Sequence, residues 1–250
     1  MSDLPAIHLL LGIVLAFGLA GIVKGVLGLG LPTLAMGLLG LVMAPGEAAA
    51  VLILPSLVTN LWQLFGGPSL GRLIRRLWPM QAGICVGTAA AAGQLTVIDP
   101  ALATAALGSA LAAYALLGLS GVRFPAPGAA ERWLSPLIGL LTGLVTAVTG
   151  VFVIPAVPYL QALRLGRDEL VQALALSFTV STLALAIGLA GAGVYHAGLT
   201  GASIMAVLPA LLGMWAGQRV RAGLGAESFR RWFFAGLLGL GLAMLGRAVG

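Results

Sequence analysis

GLAGIVKGVLGLGLPTLAMGLLGLVM, residues 18–43, is apolar enough to lie in a bilayer, yet Gly21, Gly25, Gly28, Gly30 and Pro32 crowd its middle. A plain spanning helix would carry Leu and Ile there. Proline removes a backbone donor and glycine relaxes the chain, so the stretch reads as a broken helix. A break at membrane depth frees N–H and C=O groups that lipid does not satisfy, and it survives only against protein or a water-lined cavity. Interrupted helices of this kind mark substrate sites in transporters. Lys24, the one lysine of the chain, sits inside the stretch.

Composition sets the class. With 60% hydrophobic and 8% charged residues among 250, the chain carries more apolar surface than a soluble domain of this size buries, which predicts an all-α polytopic membrane protein. The 37 glycines fit helices that pack backbone to backbone in lipid. The net charge of +6 comes from short basic clusters between apolar segments, which read as topology determinants rather than a nucleic-acid surface. The single cysteine, Cys85, excludes a disulfide within the chain and reads as a small packed residue. MSDLPAIHLLLG lacks a basic n-region and a clear cleavage site, so no signal peptide is expected.

Apolar segments fall at about 5–23, 25–44, 47–66, 77–97, 101–120, 133–150, 151–163, 168–190, 198–220 and 229–248. The seventh is too short to span alone, because a crossing helix needs about 20 residues. The first two, and the sixth and seventh, therefore form either crossing half-helices or re-entrant hairpins. Both arrangements return the chain to the side it started from.

An internal repeat organises these segments. Gly28 and Gly150, Glu47 and Glu169, and Thr59 and Ser181 are each 122 residues apart, and Pro32 and Pro155 are 123 apart. Pro79, Gly83 and Gly87 recur as Pro209, Gly213 and Gly217 at a spacing of 130. The expected units are a first membrane repeat at 1–122, a cytoplasmic linker at 123–132 and a second repeat at 133–250, integrated in one transmembrane domain. Five segments per repeat is an odd number, so the two copies have inverted topology, with a broken helix or re-entrant hairpin near the start of each. Loop charge agrees. Arg72, Arg75 and Arg76 face a counterpart holding only His196, and the Asp99 loop faces one holding Arg219, Arg221, Arg230 and Arg231. Likewise the Glu47 loop faces one with Arg164 and Arg167 beside Asp168 and Glu169. Placing the basic loops and the linker residues Arg123 and Arg132 in the cytoplasm puts both termini outside.

The segments GIVKGVLGLGLPTLAMGLLG and GLVTAVTGVFVIPAVPYL, with the ending GMWAGQRVRAGLGAESFRRWFFAGLLGLG, resemble the sulfite exporter TauE/SafE family of anion transporters. The resemblance covers most of the chain. Family members carry a Gly-x-Gly-Gly-Gly run shortly before a proline in each half. Here the first copy keeps Gly28, Gly30 and Pro32 with leucines between, and the second keeps Gly150 and Pro155 with Val-Phe-Val where glycines would stand. The resemblance implies movement of small anions, especially sulfite and organosulfonates, across the bacterial cytoplasmic membrane.

The residues favour an anion independently. A helix that restarts after a break presents unpaired N–H groups and the positive end of its dipole. Lys24 either adds a charge to the site or snorkels to the interface at the end of the first helix. Thr33 follows the first break, and Ser56, Thr59, Asn60 and Gln63 recur at helical spacing on one face. The second half offers Thr146 and Thr149 before its break, then Ser177, Ser181 and Thr182. Thus Lys24, Gly28, Gly30, Pro32, Thr33, Thr59, Asn60, Gln63, Thr149, Gly150, Pro155, Ser177 and Ser181 are the candidate substrate-binding residues.

No enzyme is expected. His8 and His196 are isolated, no Gly-Lys-Ser/Thr loop is present, and GVLGLGLP lacks the strand-helix context of a dinucleotide fingerprint. Neither a metal site nor a cofactor is expected, and a cation carrier is disfavoured, because metal ligands are missing from the apolar segments. Every acidic residue lies at a segment end or in a loop, so no proton relay is evident and uniport driven by membrane potential stays open. The partners expected are a small anionic substrate, membrane lipid and, in one arrangement, a second copy in a homodimer; nucleic acid is not among them. The alternatives are an anion channel, a carrier of another small anion such as a carboxylate, and a non-transporting assembly subunit.

Overall fold

Proline and glycine set where the helices start and stop. The computed structural model describes the backbone of residues 4–122, 124–221 and 226–249, and the side chains of residues 10–122, 124–221 and 227–248. The charges of Asp3 and Arg123, the side chain of His8 and the two chain ends lie outside the described residues. The elements are α1 (Leu4–Leu27), α2 (Leu31–Leu39), α3 (Pro45–Phe65), α4 (Leu70–Ala90), α5 (Gln94–Val97), α6 (Pro100–Ser120), a 3-10 turn (Gly128–Ala130), α7 (Glu131–Thr149), α8 (Ala156–Ala162), α9 (Arg167–Gly191), α10 (Ala197–Val220) and α11 (Ala226–Val249). Helices joined by turns and short irregular connections make up the described residues, with no strand among them.

Six of these helices are long and apolar enough to cross a membrane. The two other long ones, α4 and α11, begin with arginines at Arg72, Arg75 and Arg76 and at Arg230 and Arg231. Pro45 and Pro100 open α3 and α6 at positions where a missing N–H costs nothing. The Asp99 carboxylate accepts from Ala101 N at 2.8 Å and from Leu102 N at 3.3 Å, capping α6. Both α1 and α7 close on a left-handed glycine. Gly28, at φ 80°, donates to Lys24 O at 2.8 Å, and Gly150, at φ 70°, donates to Thr146 O at 2.8 Å.

Several segment boundaries differ from the sequence reading. Gly21 and Gly25 lie inside an unbroken α1, and the chain leaves the helix only at Gly28. The segment expected at 77–97 is α4, starting seven residues earlier, followed by Gly93 at φ 82° and the short α5. The arginines of α4 are exposed and extend the helix beyond its apolar part. Cys85 faces outward instead of packing, in a lateral groove between α4, α5 and α9.

Glycines place helix against helix. Gly21 and Gly25 on α1 meet the backbone of Ala210, Met214 and Gly217 on α10, and Gly213 and Gly217 meet Gly18 and Ile22 in return. Rising numbers meet rising numbers, so the two helices run parallel. The same pattern joins α4 to α7, where Gly83 meets Pro136 and Leu140, and Gly143 meets Ile84 and Thr88. By contrast, α3 and α9 are antiparallel: Ser56 meets Thr182, while Leu64 and Gly67 meet Gln172. Helices α6 and α11 are antiparallel too, with Gly108 against Gly241 and Tyr114 edge-on to Phe234 at 5.1 Å.

Two polar ties hold this core. Pro55 inside α3 has no N–H to give to the carbonyl of Val51. Ser203 on α10 supplies the missing donor at 2.8 Å. The wholly buried Gln172 donates to Leu64 O and Gly67 O at 2.7 and 2.8 Å and accepts from Ser69 N at 2.9 Å, binding the α3–α4 turn to α9. Trp62, Trp78, Trp133, Trp215 and Trp232 are all more than half exposed, pointing away from the core as membrane-interface anchors do.

Candidate functional site

The centre of the bundle is apolar, so each buried polar group there must find a partner or cost stability. Lys24 lies one turn before the end of α1 and is wholly buried. Its ammonium donates to the Asn60 side-chain oxygen on α3. The Asn60 amide then donates to Ser56 Oγ at 3.2 Å, and Ser56 Oγ is 3.2 Å from Thr182 Oγ1 on α9. Thr182 returns its proton to Phe178 O at 2.6 Å. One hydrogen-bonded line thus joins α1, α3 and α9.

The line contains a lysine and no carboxylate. The described ion pairs are Arg72 with Glu169, Arg76 with Glu131, and Arg230 and Arg231 with Glu227, and Lys24 belongs to none. An ammonium carries three donors, and Asn60 uses one. The interface-snorkel reading of Lys24 is therefore replaced: the side chain is wholly buried within the bundle and bonded to Asn60 of α3.

The first break lies beside this line. Gly28, Leu29 and Gly30 separate α1 from α2, with Gly30 at φ 102° and Pro32 in the first turn of α2. Gly30 fits because a Cβ there would come within 2.7 Å of Val23 Cγ1, and Thr33 folds its hydroxyl onto Gly30 O at 2.9 Å. Thr33 is thus locally satisfied. Thr59 is also satisfied on its own helix, donating to Pro55 O at 2.7 Å. Gln63 is buried with its Oε1 unpartnered.

The second break does not join Lys24. Thr149 donates to Val145 O at 2.7 Å and accepts from Val151 N at 3.1 Å, and Gly150 packs against Met36 and Ala49. Ala49 and Asn60 share α3 but stand eleven residues apart, about 16 Å along the axis at 1.5 Å per residue. Pro155 stands just before α8. On α9, Ser177 accepts from Gln81 Nε2 at 3.1 Å, and the buried Ser181 hydroxyl has no partner. Ser181 and Gln63 leave a free donor and a free acceptor on α9 and α3.

Two residues of the line, Ser56 and Thr182, were visible as hydroxyls but not as a pair; only the antiparallel register of α3 and α9 brings them together. Gln81 and Gln172 were missed. A primary amide inside an apolar helix was the available signal, since burying one without partners is expensive. Among the described residues, no group of three His, Cys, Asp or Glu could hold a metal ion.

A family model described as sulfite exporter TauE/SafE matches residues 13–244. No curated protein and no solved structure matches the chain.

Proposed function

Because the chain belongs to the sulfite exporter TauE/SafE family, a family of membrane transporters and not of enzymes, we propose that it carries small sulfur oxyanions, sulfite or organosulfonates, through an alternating-access cycle. The observation that carries the reading is Lys24: a wholly buried amine with one amide partner and no carboxylate. A charge in that position is costly unless something compensates it, and an anionic substrate does so. The opening turn of α2 adds backbone N–H groups beside it, and the free hydroxyl of Ser181 is a further donor. Gly28, Gly30 and Pro32 shape the approach. Thr33, Thr59, Gln63 and Ser177 line the surrounding polar surface, and Thr149, Gly150 and Pro155 form a second station toward the other membrane face.

The alternating-access part rests on an inverted repeat, residues 1–122 against 133–250, in the cytoplasmic membrane with both termini outside. Its support is the pairing of helices. With α1, α2, α3, α4 and α6 corresponding in order to α7, α8, α9, α10 and α11, and the short α5 left without a counterpart, α3 meets its own counterpart α9 antiparallel, and α6 meets α11 antiparallel. The parallel pairs α1 with α10 and α4 with α7 are then two copies of one contact, built from glycines at equivalent positions. Two such halves around a central site are the arrangement of a rocking carrier.

The test is flux of radiolabelled sulfite in proteoliposomes, with a small sulfonate and acetate as competitors. Saturation, counterflow of labelled substrate and competition by the sulfonate but not by acetate are the expected result. Unsaturating flux that follows voltage alone indicates a channel, and competition by acetate alone a carboxylate carrier.

A further inference from the structure

The hydrogen-bonded line between Lys24 and Thr182 has a direction, and its far end sets it. Thr182 has one hydroxyl proton and gives it to Phe178 O at 2.6 Å. Its oxygen is left to accept from Ser56, whose Oγ lies 3.2 Å away. Ser56 spends its own proton in that bond and has only lone pairs to offer Asn60. The Asn60 amide accordingly turns Nδ2 to Ser56, at 3.2 Å, and Oδ1 to Lys24. Each bond fixes the next, and the last acceptor is a helix carbonyl that does not rotate.

The anchor prevents a reversal of the amide. Without the Thr182 oxygen, Ser56 is free to donate to Asn60 Oδ1, and the amide then presents its NH2 group to Lys24, donor against donor. Lys24, Ser56 and Asn60 expose no surface and Thr182 only 1%, so bulk water does not replace a lost partner. Thr182 also stands 122 residues after Asn60, the spacing that relates Gly28 to Gly150. Two residues at that spacing thus do different work: Asn60 touches the lysine, and Thr182 orients Asn60 from α9. At the same spacing from Lys24 is Thr146, which donates to Thr142 O at 2.7 Å on its own helix.

We propose that Thr182 is a positioning residue of the anion site: through Ser56 it holds the Asn60 amide in the orientation that anchors Lys24 Nζ and leaves its remaining N–H donors to the substrate. This role rests on the reading of Lys24 as the substrate's contact, and Ser56 and Thr182 act in it only through Asn60.

Sulfite KM and kcat are measured by radiolabelled flux in proteoliposomes, and Tm in detergent with and without sulfite, on the full chain and its variants. Thr182→Val keeps the shape of the side chain and removes the hydroxyl. It should raise KM about fivefold, keep kcat within about twofold and shrink the rise in Tm that sulfite gives, with the Tm of the empty protein little changed. Thr182→Ser returns the oxygen and should restore KM. Adding Ser56→Ala to Thr182→Val removes the donor that reverses the amide, so the double variant should bind sulfite better than Thr182→Val alone. In a Lys24→Met background, Thr182→Val should alter the residual flux by less than about twofold. A packing defect would instead make the Ser56→Ala double variant worse and act equally with or without Lys24. Either result overturns the proposal, as does an unchanged KM in Thr182→Val. If Thr182→Val does not fold, Thr182→Ala carries the test. Sulfite flux that is indifferent to Thr182 overturns the proposal alone, whereas an unmodified chain that neither moves sulfite nor is stabilised by it overturns the transport reading and this role with it.

Discussion

Lys24 on α1 donates to the side-chain oxygen of Asn60 on α3, and neither residue exposes any surface. A buried cation without an anion is a poor stabiliser, so its removal should not harm the fold. Lys24→Met, nearly isosteric and apolar, removes the buried amine but leaves the Asn60 oxygen without its donor, so Tm is expected to change little, while sulfite flux falls about ten- to hundredfold, the range for losing a hydrogen bond to a charged group. Asn60→Asp supplies an internal counter-charge. It should fold normally and lose the rise in Tm that sulfite gives the unmodified chain. An undiminished sulfite response in Asn60→Asp would remove the ammonium from the binding site.

Pro55 and Ser203 form a second relationship with a measurable signature. The proline leaves the Val51 carbonyl without its helical donor, and Ser203 fills the gap from α10. Ser203→Ala should therefore cost about 1–3 kcal/mol, the penalty of an unpaired buried acceptor. In a Pro55→Ala background the helix regains its own N–H donor, and the same change should cost at least about 1 kcal/mol less. Denaturation of the four proteins in detergent gives the coupling energy. Additive effects would mean that the serine is not replacing the lost helical bond.

The glycines divide into two classes with opposite expectations. Gly25 and Gly139 sit where a Cβ would run into the backbone of α10 or α4, and backbone does not move aside. Replacing either with leucine should separate the paired helices and lower stability by about 3 kcal/mol or more, beyond ordinary overpacking. Gly12 and Gly236 have nothing within 4 Å of an added Cβ. Alanine there should be neutral or stabilising by up to about 1 kcal/mol, because it restores helix propensity. Thermal unfolding of the four variants checks both halves of the expectation.

What the sequence made legible follows from this division. Gly28 and Gly150 act locally, as left-handed helix ends, and their 122-residue spacing could be read without knowing what they touch. Gly21 and Gly25 look the same in composition but act at a distance, through contact with α10, so composition alone does not separate them from the break. Their i, i+4 spacing was the sign of a packing face. The polar face Ser56, Thr59, Asn60, Gln63 was legible from helical period, and three of its members are wholly buried while Gln63 is nearly so. The link from Lys24 to Asn60 was not, because it depends on how far α1 is rotated against α3. Separation of the two breaks along α3 was hidden for the same reason, since spacing in sequence fixes order but not depth.

Loop placement offers the last expectation. The turn at Ser69 and Arg72 is tied to Glu169 and Gln172, so the α3–α4 connection and the start of α9 share one face of the bundle. At the opposite end, Gly93 and Thr96 line the same groove as Gly191 and Ala192. Because positive loops are retained in the cytoplasm, the arginine-rich face should be inside and the Asp99 and His196 face outside. Single cysteines in a Cys85→Ser background test this with a membrane-impermeant maleimide. Thr96→Cys and His196→Cys should label in intact cells, and Arg75→Cys and Arg164→Cys only after permeabilisation. Labelling of one member of each pair from the same side would contradict the packing itself. Labelling of both pairs with the sides exchanged would keep the fold and reverse its orientation, which would place Lys24 nearer the outer face and turn the proposed export path around.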